Sequence, residues 1–190
     1  MSVTGFMVLA VIVVLVGYGV ALYNGLVSLK HSVLKAWSNI DVLLKQRHDE
    51  LPKLVETCKQ YMKHEQQTLE KVMQARSGVS SALGQADVAA LGQAETKMRQ
   101  GLMNLFAVAE AYPDLKANES FKGLQQRISQ LENNIADRRE FYNASVNLNN
   151  VRIEQFPDLL IAGFFNFKSF DLLEFEEADI SDVSVKELFE

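Results

Sequence analysis

The sequence predicts an all-α protein. An N-terminal transmembrane helix (residues 1–24) leads into an antiparallel up-and-down bundle of long helices (25–157), then an irregular or short-strand tail, aromatic then acidic (158–190). Three observations predict this. The chain opens on an uncharged apolar run; apolar residues then recur every three or four positions from Trp37 to Phe156; and 190 residues include only three prolines and ten glycines, so elements are long and turns few. With 48% hydrophobic residues, the chain is not a disordered one.

Phe6 to Leu22, "FMVLAVIVVLVGYGVAL", has no charged side chain. At about 1.5 Å per residue it approaches the roughly 30 Å hydrocarbon core of a bilayer. A cleaved signal peptide competes with this reading, but no basic segment precedes the run and helical patterning resumes straight after it, so an uncleaved anchor is favoured. Lys30, Lys35, Lys45 and Arg47 all follow the span and no Lys or Arg precedes it. This asymmetry predicts a short outer N-terminus and a cytoplasmic domain.

The first bundle helix carries Trp37, Ile40, Leu44, Leu51, Leu54, Val55, Cys58, Met62, Leu69 and Val72 on one stripe and is expected to end near "RSGVSSALGQAD", with Asp87 capping the next helix. Pro52 lies within it. A kink there leaves three long helices and a break makes four; the kink is favoured because no Gly or Asn accompanies Pro52 to reverse the chain. The second helix carries Leu91, Met98, Leu102, Leu105 and Ala109 and is interrupted at "AYPDLKAN". Asn118 is placed to cap the third, which runs through Phe121, Ile128, Ile135, Tyr142 and Val146 until Pro157 ends it.

Charges then separate into two kinds. Asp41, Lys45, Asp49 and Lys53 alternate in sign at four-residue spacing, as on a solvated helix face. Arg47 instead falls on the core seam with Ile40 and Leu54, flanked by His48. A core-facing guanidinium needs a carboxylate, for which Glu95, Glu110 and Glu132 are the candidates. The third helix seam also turns polar at Arg138, Tyr142, Ser145, Asn149 and Arg152. Arg47, His48, Arg138 and Tyr142 are therefore candidates for a structural polar seam that fixes helix register, or alternatively a ligand or partner groove.

Catalytic chemistry finds little support. His31, His48 and His64 are seventeen and sixteen residues apart, about 25 Å along a helix, and no HExxH, CxxC or paired-carboxylate spacing accompanies them. The sequence offers no metal site, no cofactor motif, no phosphate-cradling glycine loop and no nucleophile elbow. Cys58 lies on the buried stripe, where a reactive thiolate is disfavoured. Basic residues are diluted by acids on the same faces, so nucleic acid is not an expected partner.

"YNGLVSLKHSVLKAWSNIDVLLKQRHDELPKLVE" (23–56), "KHE" (63–65), "AEAYPDLKAN" (109–118), "ENNIADRREFYN" (132–143) and "FPDLLIAGFF" (156–165) together resemble the LemA family of bacterial proteins. The resemblance implies a transmembrane helix, a helical-bundle domain and a bacterial inner (cytoplasmic) membrane location, and supplies no catalytic or cofactor-binding residue. Lys30-His31 stands where the family suggests Arg-Asn, and the tail continues past the family's expected end.

That tail is unusual. Leu159 to Phe175 includes Phe164, Phe165, Phe167, Phe170 and Phe175, while residues 168–190 hold eight acids and two bases, enough to account for the net charge of −5. So apolar a segment needs covering by the bundle, the membrane surface or another copy, and with Lys168 and Asp171 inside it suits an interfacial or subunit-contact segment better than a second span. The five phenylalanines are a candidate self-association segment, with docking on the protein's own bundle as the alternative. The functional expectation is a membrane-anchored, non-enzymatic scaffold that self-associates and organises membrane or partner proteins. Its competitor is an adaptor or regulator of a membrane enzyme such as a quality-control protease.

Overall fold

The computed structural model describes residues 3–85 and 87–175. Among these the regular structure is entirely helical: α1 (Val3–Lys59), α2 (Gln66–Gln85), α3 (Val88–Ala109), α4 (Pro113–Ala117), α5 (Glu119–Glu154) and α6 (Asp158–Phe164). The acidic end of the tail, 176–190, lies outside the described residues. The strand expected as one option for the tail is not found among the described residues.

The helix starts follow local chemistry. Asp87 caps α3 by accepting from the Ala90 N–H at 2.9 Å, and Asn118 caps α5 by accepting from the Phe121 N–H at 3.0 Å. Pro113 occupies the first turn of α4, where its missing N–H costs nothing.

α1 continues through Pro52 without interruption. The break falls instead between Lys59 and Gln66, which corrects the expectation that the first helix runs on through Met62 and Leu69. The Cys58 carbonyl accepts from the N–H groups of both Tyr61 and Met62, closing α1. Asn118 donates to the Tyr61 hydroxyl at 3.0 Å, and the Tyr112 hydroxyl donates to Glu65 at 3.3 Å. Distant residues thus hold the turn, while Cys58, Met62 and Leu69 all stay buried. The apolar period survives the turn, so periodicity could not locate it.

The described residues divide into two compact units, each containing part of α1 and of α5: residues 3–42 with 136–172, and 43–85 and 87–135 with 173–175. In the first, Leu26, Ile153 and Ala162 form a small core to which Ile161 and Phe167 add. The Trp37 and Tyr142 rings pack 5.4 Å apart. In the second, α2 and α3 pack together as a hairpin, and Leu51, Leu54, Leu91, Met98, Leu105 and Phe121 are buried. α1 is the one described helix long and apolar enough to cross a membrane, and its apolar N-terminal stretch is left uncovered by the other described residues.

Candidate functional site

The second unit is keyed by Arg47, which is 1% exposed. Its Nη1 donates to Glu132 Oε1 at 2.6 Å and its Nη2 donates to Glu95 Oε1, so α1, α3 and α5 meet at one guanidinium. These are two of the three acids expected for it. The third, Glu110, pairs with Lys116 on the surface. Arg99 adds a longer contact to Glu132 at 3.9 Å.

The electrostatics follow from burial. Desolvation works against a charged Arg47, but the two carboxylates outweigh it and raise its pKa. Desolvation raises Glu95 above the ordinary carboxylate range, with Arg47 pulling the other way; its Oε2 is buried with no hydrogen-bond partner among the described residues. His48 sits beside this cluster, half-buried. Desolvation lowers its pKa, as do the nearby charges of Arg76 and Arg47, against an opposing pull from Asp49. Arg76 also donates to the His48 carbonyl at 2.9 Å, tying α2 to α1. Outside this cluster, Glu50 binds Lys53 and Arg127, each at 3.2 Å. Lys53 therefore spends its charge three residues back rather than on Asp49. Both carboxylates of the cluster are engaged by one permanent cation, which joins three helices at a single point.

The other half of the expected seam lies in the first unit and has another use. Tyr142 donates to the Asp171 carbonyl at 2.9 Å, and Asn149 donates to the Lys168 carbonyl at 3.4 Å. Asn150 both donates to the Phe170 carbonyl (2.9 Å) and accepts from its N–H (3.0 Å), as a neighbouring strand would. These side chains clamp the tail backbone along α5. Arg138 faces outward and takes no part in the clamp. Arg152 binds the buried carboxylate of Asp158 at 2.8 Å and so fixes the start of α6.

The five tail phenylalanines separate. Phe175 is buried in the second unit beside the fully buried Leu173, Phe167 and Phe170 are half-buried in the first, and Phe164 and Phe165 are exposed. Gly92, which sequence reasoning passed over, permits the Phe175 placement. A Cβ there would lie 2.0 Å from the Glu174 carbonyl oxygen, so only glycine lets the tail cross α3 this closely. The clamp did leave a sign in the sequence: "NLNN" (147–150) is a poor run for a helix interior.

One groove of about 760 Å³ is lined by Val55, Met62, Leu69 and Met73 with Lys59 and Glu70 among others, away from Arg47 and His48. No group of three or more His, Cys, Asp or Glu able to hold a metal occurs among the described residues.

A LemA family model matches residues 36–186 of this arrangement. The chain belongs to the LemA family. The match takes in the cluster on α1, α3 and α5, the clamp, and most of the tail, so the C-terminal segment set apart from the family by sequence reading falls within the family's matched span. Curated relatives include Magnetosome proteins MamQ 2 and MamQ 1 of Paramagnetospirillum magneticum, each 29% identical over 124 residues, 64% of this chain and 45% of the relative. Magnetosome protein MamQ of Magnetospirillum gryphiswaldense is 27% identical over the same extents. The chain thus matches less than half the length of these relatives.

Proposed function

We propose that this LemA protein is a membrane-anchored, non-enzymatic scaffold: α1 tethers it in a bacterial inner membrane with the helical domain, an antiparallel bundle, in the cytoplasm, and copies associate to organise membrane or partner proteins. The observation that carries the reading is a stripe on α5. Phe141, Ala144, Leu148 and Val151 repeat at alternating spacings of three, four and three, and all four are exposed, the three large ones by 53%, 54% and 40%. That is a two-heptad seam with no partner among the described residues. A second copy offers the same seam, and a two-fold contact sets each residue against its counterpart. So short a seam is weak in solution; tethering in one membrane raises the effective concentration enough for it to act.

Two further points support the reading. Of the polar groups that looked most like a site, Arg47 is spent on joining helices and Tyr142 on holding the tail. The curated relatives are named for a cellular structure and not for a reaction. Cysteine cross-linking in membranes tests it: in a Cys58→Ala background, Leu148→Cys should form disulfide-linked dimers and Ser129→Cys, exposed elsewhere on α5, should not. Equal cross-linking at both positions, or at neither, overturns the seam.

The methionine-lined groove favours a second reading, as adaptor for a membrane enzyme, because flexible thioethers suit an apolar peptide of varied sequence. Co-purification of a stoichiometric second protein whose binding Met73→Glu abolishes would establish it instead.

A further inference from the structure

The apolar stretch of α1 ends at Leu22, and about 20 residues from Val3 to that point measure roughly 30 Å, the thickness of a bilayer's hydrocarbon core. Tyr23 is the next residue. Its ring lies 4.6 Å from that of Phe165 and 5.8 Å from that of Phe167, and Phe165 lies 5.0 Å from Phe164. One turn on, Leu26 is buried against Ala162 of α6. α6 is therefore held against α1 at the level where the span leaves the hydrocarbon.

Local chemistry fixes it there. Asn166 adopts a left-handed φ of 57°, which asparagine tolerates better than most residues. The Phe167 N–H then reaches the Ala162 carbonyl at 2.9 Å and that of Asn166 the Gly163 carbonyl at 3.4 Å, a Schellman ending that lays Phe167 back on the core. On the other side of α6 and of the residue leading into it, the described residues leave Phe164 82% exposed, Phe156 78%, Leu160 62% and Leu159 about half. The one acid of α6, Asp158, is turned inward onto Arg152, so no ionised side chain interrupts this face. Beside it is a groove of about 510 Å³ whose lining includes Tyr23, Phe165 and Phe170 together with Lys30, His31 and Lys168. Lys30 is seven residues beyond Tyr23, about 10 Å further along the helix, from where its long side chain can reach back to the headgroup region.

We propose that α6 and its aromatic neighbours form a collar that seats in the bilayer interface, with Phe156, Leu160 and Phe164 among the lipid chains and the Lys30, His31 and Lys168 groove against anionic phospholipid headgroups. The occupant follows from continuity: the collar extends the lipid-facing surface of α1 sideways, as amphipathic interfacial helices and aromatic belts do. It gives the tether a fixed tilt and leaves the α5 seam for contact between copies. The proposal rests on the anchor reading above.

Depth measurement tests both separately. Single cysteines at Val11, Ser129 and Phe164 in the full-length Cys58→Ala chain are spin-labelled in vesicles of phosphatidylcholine containing phosphatidylglycerol, and collisions with oxygen and with a water-soluble nickel chelate are compared. Labels at 11 and 164 should favour oxygen, and the label at 129 the chelate. A label at 11 that favours the chelate overturns the anchor, and the collar with it. A label at 11 that favours oxygen beside one at 164 that favours the chelate overturns the collar alone. Omitting phosphatidylglycerol should make position 164 shallower, and Lys30→Gln with Lys168→Gln should remove that difference; an unchanged depth in both overturns the headgroup contact.

Discussion

Removing Arg47 isolates what the central cluster contributes. Arg47→Met keeps the volume and the apolar stem but leaves Glu95, 1% exposed, without its cation, and Glu132, 20% exposed, with only the 3.9 Å contact to Arg99. Stripping one partner from a buried ion pair costs about 3–5 kcal/mol, chiefly because the remaining charge has no water to return to. For a chain of this length each kcal/mol is worth about 2–4 °C, so the melting temperature should fall by roughly 6–20 °C. Part of the penalty is relieved if Glu95 takes up a proton, which its raised pKa favours, so the loss should be smaller at pH 5 than at pH 8. Arg47→Met with Glu95→Leu removes cation and buried anion together and should recover most of the loss, because a well-packed apolar pair in this position is about neutral. The assay is thermal unfolding of the detergent-solubilised full chain, followed by circular dichroism. A single substitution that changes the melting temperature by under about 2 °C, or a double substitution no more stable than the single, would refute the reasoning.

Gly92→Ala pushes a methyl group into the Glu174 carbonyl and should cost about 1–3 kcal/mol before the better helix propensity of alanine returns up to about 1 kcal/mol. Limited proteolysis should then release the tail earlier than in the wild type, and unchanged protection would contradict the close crossing. His48 has its pKa lowered from 6.5, so its neutral form favours the fold: the contribution is complete above that value and is lost as pH falls through the lowered one. His48→Gln should therefore flatten the stability change between neutral and mildly acid pH, and an unaltered slope would sink the assignment. Burial pushes the Cys58 thiol up to about 12, so iodoacetamide should leave the native protein untouched and modify it at the rate of unfolding. Rapid labelling of the native chain would contradict a buried thiol.

Much of this was legible in the sequence where one local rule acts alone. The capping roles of Asp87 and Asn118, the end of α5 before Pro157 and the apolar stretch of α1 each follow from a short-range preference. Arg47 was found because a cation on a core seam violates the pattern, and its acids were narrowed to three because few carboxylates flank the other seams. What could not be read depends on residues far apart in the chain. The turn at 60–65 is held by Tyr112 and Asn118, and the apolar period passes through it unchanged. Arg138 was placed with Tyr142 by a strict three-and-four count, yet that count of about 3.5 residues per turn drifts off a helix of about 3.6. The buried face passes from Ile135 to Tyr142, Val146, Asn149 and Ile153 and leaves Arg138 exposed, and the inward polar positions instead serve the tail backbone. A sticky tail was expected from its five phenylalanines. Gly92 and the asparagine clamp account for the covered ones, since both act on the tail's backbone and leave no trace in its own composition.

The central claim is that tethered copies associate through the apolar seam of α5. Its most direct test is the mass of the full chain reconstituted in lipid nanodiscs, measured for the wild type and for Phe141→Glu with Leu148→Glu. The wild type should give discs holding two or more copies of the 21.3 kDa chain even when discs are in excess, and the double variant should give one copy per disc with unchanged helix content. A wild type that distributes as single copies, or a variant that assembles equally well, would contradict it.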